Sequence, residues 1–215
     1  MTFTEYLVDR WLDLAELIFI HTQVVLIAVG LAAVIGVGVG IAVHGHDRAS
    51  RVALAITGTL LTIPSFALFG LLIPILGLGL LPTIAALMLY GIFPILRNTV
   101  TGLESVDPAL IDAGQGLGLS DWQRLWLLRL PLAWPVVLTG IRLATIMVVA
   151  IAAIAAAVSG PGLGELIFGG LARVGGANAL NDVLAGVLGV VVVALFLDLL
   201  FLALARLTTS RGIRV

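Results

Sequence analysis

The sequence predicts an all-α polytopic transmembrane helical bundle with about five spans. Three observations carry that expectation. Of the 215 residues, 61% are hydrophobic and only 11% charged, which is more apolar sequence than a water-soluble domain of this length has use for. Five apolar runs approach or exceed the about 20 residues that cross a bilayer core. The arginines between and beyond those runs sort to alternate sides, as they do in chains that thread a membrane.

The runs lie near residues 24–43, 52–72, 80–96, 135–158 and 183–205. The third is the shortest and the second contains Pro64, so this hairpin is the weakest part of the pattern. Ahead of the first run, Phe3, Leu7, Trp11, Leu14 and Ile18 share one helical face, and Glu5, Asp9, Asp13 and Glu16 another. Residues 1–20 are therefore an amphipathic extension. It either lies on the membrane surface or lengthens the first span. It does not read as a cleavable signal, which would pair a basic start with an apolar core.

In the first run, Gly36 and Gly40 form a small-xxx-small pair suited to close helix packing. With Gly38 they also spell GxGxG, but no strand precedes them, so a dinucleotide fingerprint is not expected. The following turn, His44-Gly45-His46-Asp47, reads as a solvated loop rather than a metal cluster.

The stretch covering the second and third runs contains Pro64, Pro74, Pro82 and Pro94, residues that kink or end helices. Such breaks are tolerated at membrane depth where the backbone faces protein or a water-filled path. Pro64, Ser65, Phe66, Tyr90 and Asn98 lie at or near these breaks and are candidates to line a translocation path. Asp198, deep in the fifth run, joins them because an ionisable group there is expensive and by default a functional suspect. After the fourth run comes a glycine-rich stretch with a short apolar piece, residues 163–171, which is either a short re-entrant or surface helix or a flexible loop.

All 11 basic residues are arginines. Arg48, Arg51, Arg97, Arg124, Arg129, Arg142, Arg206, Arg211 and Arg214 fall on one side of a five-span thread, and only Arg10 and Arg173 on the other. The positive-inside rule makes the first side cytoplasmic. The N-terminus is then outside, and the C-terminus and the central loop, residues 97–134, are inside.

That loop carries the strongest local signals. Asp107 can cap a helix whose first residue is Pro108. Gly116 and Gly118 suit its end. Ser120 and Gln123 form a capping-box pair that opens a second short helix, which Pro131 and Pro135 are expected to close.

The same residues resemble a known motif. Permease subunits of binding-protein-dependent ABC importers carry a loop of the form EAA, three residues, G, nine residues, I, one residue, LP. Asp112, Ala113 and Gly114 stand at EAA, Gly118 at G, Leu128 at I, and Leu130-Pro131 at LP, without a gap. Asp for Glu, Gly for the second Ala and Leu for Ile are conservative departures. The stretches TIPSFALFGLLIPILGLG, YGIFPILRNTVTGLESVDPAL, GLSDWQRLWLLRLPLAWPVVLTGIR and GPGLGELIFGGL further resemble the osmoprotectant branch, importers of glycine betaine, carnitine, choline or proline betaine. This likeness covers roughly residues 20 to 210.

The resemblance implies a single permease domain over 1–215 with a type I importer (MetI-like) fold. It implies that Asp107, Pro108, Asp112, Ala113, Gly114, Gly118, Leu130 and Pro131 couple to a cytoplasmic ATPase. The implied partners are two ATPase subunits, a second permease subunit, like or unlike, and a separate extracytoplasmic binding protein, in the inner or plasma membrane of a prokaryote. No nucleic acid is expected. ATP and Mg would sit on the partner and no cofactor on this chain. Independently of any family, the absence of lysine excludes a standard Walker A loop here. A permease of the same architecture for another solute, such as an amino acid or an anion, is the alternative.

Other classes fit less well. A serine hydrolase at Ser159 would need a base, and His21, His44 and His46 all lie near the first run. An ion-coupled transporter would want inverted repeats and several buried ionisable groups. Without cysteine, neither disulfides nor thiol chemistry are available.

Overall fold

The computed structural model describes residues 1–208, and among these it contains helices and no strand. Arg211 and Arg214, counted above for orientation, lie outside the described residues. In order, the helices are α1 (Phe3–Asp9), α2 (Trp11–Val43), α3 (Asp47–Thr62), α4 (Ser65–Leu76), α5 (Leu80–Glu104), α6 (Pro108–Gly116) and α7 (Asp121–Arg124). A π turn (Leu125–Arg129) leads into α8 (Leu130–Ile154), then a 3₁₀ turn (Ala155–Val158), α9 (Gly164–Leu171) and α10 (Ala179–Thr208). Four helical stretches are long and apolar enough to cross a membrane, or five if the bent pair α3–α4 is one span.

The core is formed by α2, α5 and α8. Val25, Ala28, Leu87, Tyr90, Val148 and Ala152 are buried in one cluster, and Ala32, Ile92, Ile95, Leu96 and Ala144 continue it along the bundle. The small-xxx-small pair in α2 explains the close approach of α5. A methyl group at Gly36 would meet Ile95 Cγ2 at 2.9 Å, and one at Gly40 would meet Thr99 Cγ2 at 2.6 Å. No residue larger than glycine fits either place without moving α5.

Four expectations need correction. The run 52–72 is not one straight span: α3 and α4 meet at 98° across Ile63 and Pro64. Pro64 has no N–H to continue the helix and disfavours helical backbone at the residue before it, and Ile63 is indeed extended, with ψ at 126°. Second, Pro131 and Pro135 do not close the second loop helix. Residues Asp121–Val158 form one continuous helical stretch of 38 residues. The π turn absorbs Pro131: the N–H of Leu130 reaches back to Leu125 O, five residues earlier, and the widened turn leaves room for the ring. Third, the third run extends past residue 96 to Glu104, so its helix enters the central loop. Fourth, Arg142, counted above with the arginines flanking the spans on one side, lies within a span helix, 12 residues into α8 as counted from Leu130.

The amphipathic extension divides at Arg10. Phe3–Asp9 is a separate helix, closed at its start by a Thr2–Glu5 capping box. Trp11 onward belongs to the 33-residue α2. The apolar piece after the fourth run is a helix, α9. Gly170 and Gly186 let α9 pack against α10, since a methyl group at Gly170 would meet Ala179 O at 2.6 Å.

Candidate functional site

The central loop is a helical hairpin specified by local chemistry. Asp107 Oδ1 accepts from Ala109 N at 2.8 Å, and Pro108 follows as the first helical residue of α6. The helix ends where Gly118 takes a φ of +81°, allowing Gly118 N and Leu119 N to bond back to Gln115 O and Gly114 O. Ser120 and Gln123 cap α7 reciprocally. Arg124 then ties the two arms, donating to Gln115 Oε1 at 2.7 Å and pairing with Asp121.

This geometry sorts the motif residues by face. Asp107, Pro108, Asp112 and Ala113 are exposed, whereas Ile111 and Gly114 are buried against the second arm. A methyl group at Gly114 would meet Leu128 Cδ1 at 2.7 Å. The small size of Gly114 is therefore required inside the hairpin. The surface open to a partner is the face with Asp112, Ala113, Gly116 and the exposed Leu117. Leu130 packs beside the buried Leu103, Leu125, Ala133 and Val137, and Pro131 is exposed on the continuous helix.

The path candidates fall into three places. Pro64, Ser65 and Phe66 form the break between α3 and α4, and Phe66 is 63% exposed. Tyr90 reaches this break from α5: its buried side chain donates its hydroxyl proton to Ile63 O at 2.5 Å. That carbonyl is left without a helical partner by the break. Asn98, eight residues further along α5, donates to Pro94 O at 2.8 Å and packs against Gly140, where a methyl group would meet Asn98 Cβ at 2.6 Å. Asp198 stands on α10 and accepts from Arg142 of α8 at two points, Oδ1 from Nε at 2.5 Å and Oδ2 from Nη2 at 2.8 Å. The structure thus joins Tyr90 to the Pro64 break and leaves Asn98 and Asp198 apart from it.

Sequence reasoning missed a second charged cluster. Asp182, at the start of α10, is buried and accepts from the hydroxyl of Tyr6, from Arg10 Nη1 at 3.4 Å and from Arg173 Nη2 at 2.9 Å. These are the two arginines that the charge count sets apart from the other nine, and they meet at one carboxylate. Burial, together with the bond to the Asp182 carboxylate, raises the Tyr6 phenol above its usual range. No local spacing links residues 6 and 182. Among the described residues, no group of three or more His, Asp or Glu is placed to hold a metal.

Four or five long apolar helices, with a capped and partly exposed hairpin between two of them, define a multi-pass membrane protein. The chain belongs to the family described as binding-protein-dependent transport system inner membrane component, whose model matches residues 32–210. It is 41% identical over 214 residues to the osmoprotectant import permease protein OsmW of Salmonella typhimurium, covering 97% of this chain and 98% of that one. It is 33% identical to the glycine betaine/carnitine/choline transport system permease protein OpuCB of Bacillus subtilis, over 90% of this chain and 88% of that one. The fold is similar to that of the MetNI methionine ABC transporter in an inward-facing conformation, with a TM-score of 0.80 at 21% identity, covering 92% of this chain and 96% of the other.

Proposed function

We propose that this chain is a translocation subunit of an ABC importer for small quaternary-ammonium osmoprotectants. The observation that carries this reading is its end-to-end likeness, at 41% identity, to a permease named for osmoprotectant import. Two further relatives, named for glycine betaine, carnitine and choline or for choline alone, point the same way at 33% and 34% identity. The likeness to a methionine transporter rests on 21% identity and speaks for the fold only.

In this reading the chain binds no nucleotide. Two cytoplasmic ATPase subunits hold ATP and Mg, and α6 seats on one of them through the face with Asp112 and Ala113. The π turn and α8 carry movement of that face into the bundle, because they form one helical stretch with α7. A second permease subunit completes the path, and a separate binding protein delivers solute from outside. Orientation follows the arginines, with the α6 hairpin inside and the Asp182 cluster outside, in the inner or plasma membrane of a prokaryote.

Uptake of radiolabelled glycine betaine, choline and methionine by cells carrying the complete importer tests the solute class. Osmoprotectant uptake that disappears when this chain is deleted is expected. Methionine uptake alone would replace the reading with the amino-acid alternative. Single cysteines at the exposed Leu117 and Val174 test the orientation. Leu117→Cys should react only from the cytoplasm and Val174→Cys only from outside, and the reverse pattern would invert the thread.

A further inference from the structure

We propose that the cleft between the α2–α3 turn and the α7–π-turn arm holds the phosphate of an anionic phospholipid. The cleft has a volume of about 500 Å³ and is lined by His44, Gly45, Asp121, Trp122, Arg124, Leu125 and Arg129. That volume lies within the about 300–1,000 Å³ of small-ligand sites.

Length places the Arg129 end of the cleft near headgroup level, since Arg129 stands six residues, about 9 Å at 1.5 Å per residue, before Pro135. The stretch Asp121–Val158 has 38 residues, about 57 Å at 1.5 Å per residue, against a hydrocarbon core of about 30 Å. The apolar segment begins near Pro135, so the surplus lies at the Asp121 end. Trp122 and Trp126 stand there with ring centroids 5.4 Å apart, 67% and 49% exposed. Exposed indoles concentrate where apolar and polar layers meet. Leu127 is exposed between them and the membrane segment, on the route an acyl chain would take.

Charge then selects the ligand. Asp121 offsets Arg124 on the rim of the cleft. Arg129 is half-buried and makes no ion pair or hydrogen bond through its side chain among the described residues. Its other side faces a smaller cleft, of about 290 Å³, that Glu104 and Asp112 also line, yet neither carboxylate lies within ion-pair distance. A half-buried charge normally has a partner, and a guanidinium suits a phosphate diester, which it can bind at two points. Arg48 and Arg51 are exposed on α3 close to the turn and enrich the same side in positive charge. Basic pockets between membrane helices are established sites for anionic headgroups. The open apolar flank at Trp122, Trp126 and Leu127 favours a lipid over a free phosphate ion.

The indoles provide the test. The complete chain, purified with its bound subunits in neutral detergent, is titrated with brominated-chain phosphatidylglycerol and, separately, with brominated phosphatidylcholine. Bromine quenches a nearby indole. Phosphatidylglycerol should quench at a roughly fivefold lower mole fraction, the factor expected for one arginine at an anionic surface. Trp122→Phe should remove most of the difference. Arg129→Gln should abolish the preference and Arg129→Lys should retain part of it, so the proposal survives poor folding of the glutamine variant. Arg48→Gln, outside the cleft, should keep the preference. Equal quenching by both lipids, or equal loss in Arg48→Gln and Arg129→Gln, would overturn the site in favour of general surface charge. Competition by inorganic phosphate or glycerol phosphate would overturn the lipid in favour of a free anion. A preference seen only after the bound subunits are stripped would make the cleft a protein contact.

Discussion

Arg142 and Asp198 join α8 to α10 by a two-point ion pair, with contacts of 2.5 and 2.8 Å, in the middle of two helices long enough to cross a membrane. The side chains are 36% and 22% exposed. An exposed ion pair at that depth is unfavourable against lipid, so it faces protein or water in the assembled importer. Asp198 is therefore not a free anion awaiting a cation. Asp198→Asn leaves the partly exposed guanidinium unpaired at membrane depth, and Arg142→Gln leaves the carboxylate so. Each should lower uptake and assembly together, and the exchange Arg142→Asp with Asp198→Arg should restore assembly. Recovery of assembly without recovery of uptake would assign the pair to the path. Recovery of both would leave it a staple between helices.

Tyr6, Arg10 and Arg173 converge on Asp182, closing α1 over the start of α10. Tyr6→Phe should loosen α1 by about 1.5–3 kcal/mol, the range for a hydrogen bond to a charged group. Faster amide exchange confined to residues 3–9 would register it. The phenol is raised above its usual range by burial, so its proton is retained in the folded state at pH values where an unfolded chain would lose it. Its contribution is complete below about pH 10 and fades only as pH rises through the higher folded value. Wild type and Tyr6→Phe should then differ in α1 protection at neutral pH and converge under strong alkali. Convergence already at neutral pH would show that the bond contributes nothing.

Tyr90 answers the carbonyl that the Pro64 break leaves open, at 2.5 Å from Ile63 O. Tyr90→Phe keeps the packing and removes the donor, at about 1–3 kcal/mol for the unsatisfied carbonyl. The expected result is a lower melting temperature with a steeper loss of uptake, because the break sets the placement of Ser65 and Phe66. Phe66→Ala touches the exposed side of the same break and should affect uptake with the melting temperature unchanged. If both variants change only stability, the break is structural and does not border the path.

What could be read from residue order follows from how far apart the partners are. The Asp107 cap, the Gly118 stop and the Ser120–Gln123 box each depend on residues within a few positions, and each forms as the sequence predicts. Gly36 and Gly40 declared a packing face, though not that Ile95 and Thr99 would fill it. Pro64 announced a weak point, but a 98° turn needs Tyr90 from another helix to support it. Pro131 misled for a related reason. A proline stops a regular helix, whereas the π turn just before it widens the spiral, and nothing in LWLLR signals that turn. Arg142 with Asp198 and Tyr6 with Asp182 are separated by 56 and 176 residues, and no spacing rule reaches so far. The inward face of Gly114 was hidden because its neighbour, Leu128, lies on the other arm of the hairpin.

That inward face separates two substitutions that would otherwise look alike. Ala113 and Gly114 are adjacent, both small and both in the family motif, yet Ala113 is exposed and Gly114 is buried against Leu128. Gly114→Trp cannot be placed without parting the arms of the hairpin, because even a methyl group meets Leu128 at 2.7 Å. It should disorder the hairpin itself, which increased proteolysis between residues 105 and 120 would detect. Ala113→Trp leaves the hairpin intact and adds bulk only on the outer face. If that face seats on an ATPase subunit, Ala113→Trp should reduce copurification of the ATPase, or leave it bound with hydrolysis no longer stimulated by binding protein. A residue at the centre of such a contact contributes about 2 kcal/mol or more, about thirtyfold in affinity. Asp112→Asn, beside it, removes charge without bulk and should weaken association more at low salt than at high salt, because screening already reduces the interaction there. Full association and full stimulation in Ala113→Trp, with the hairpin protected from protease, would show that this face does not carry the coupling.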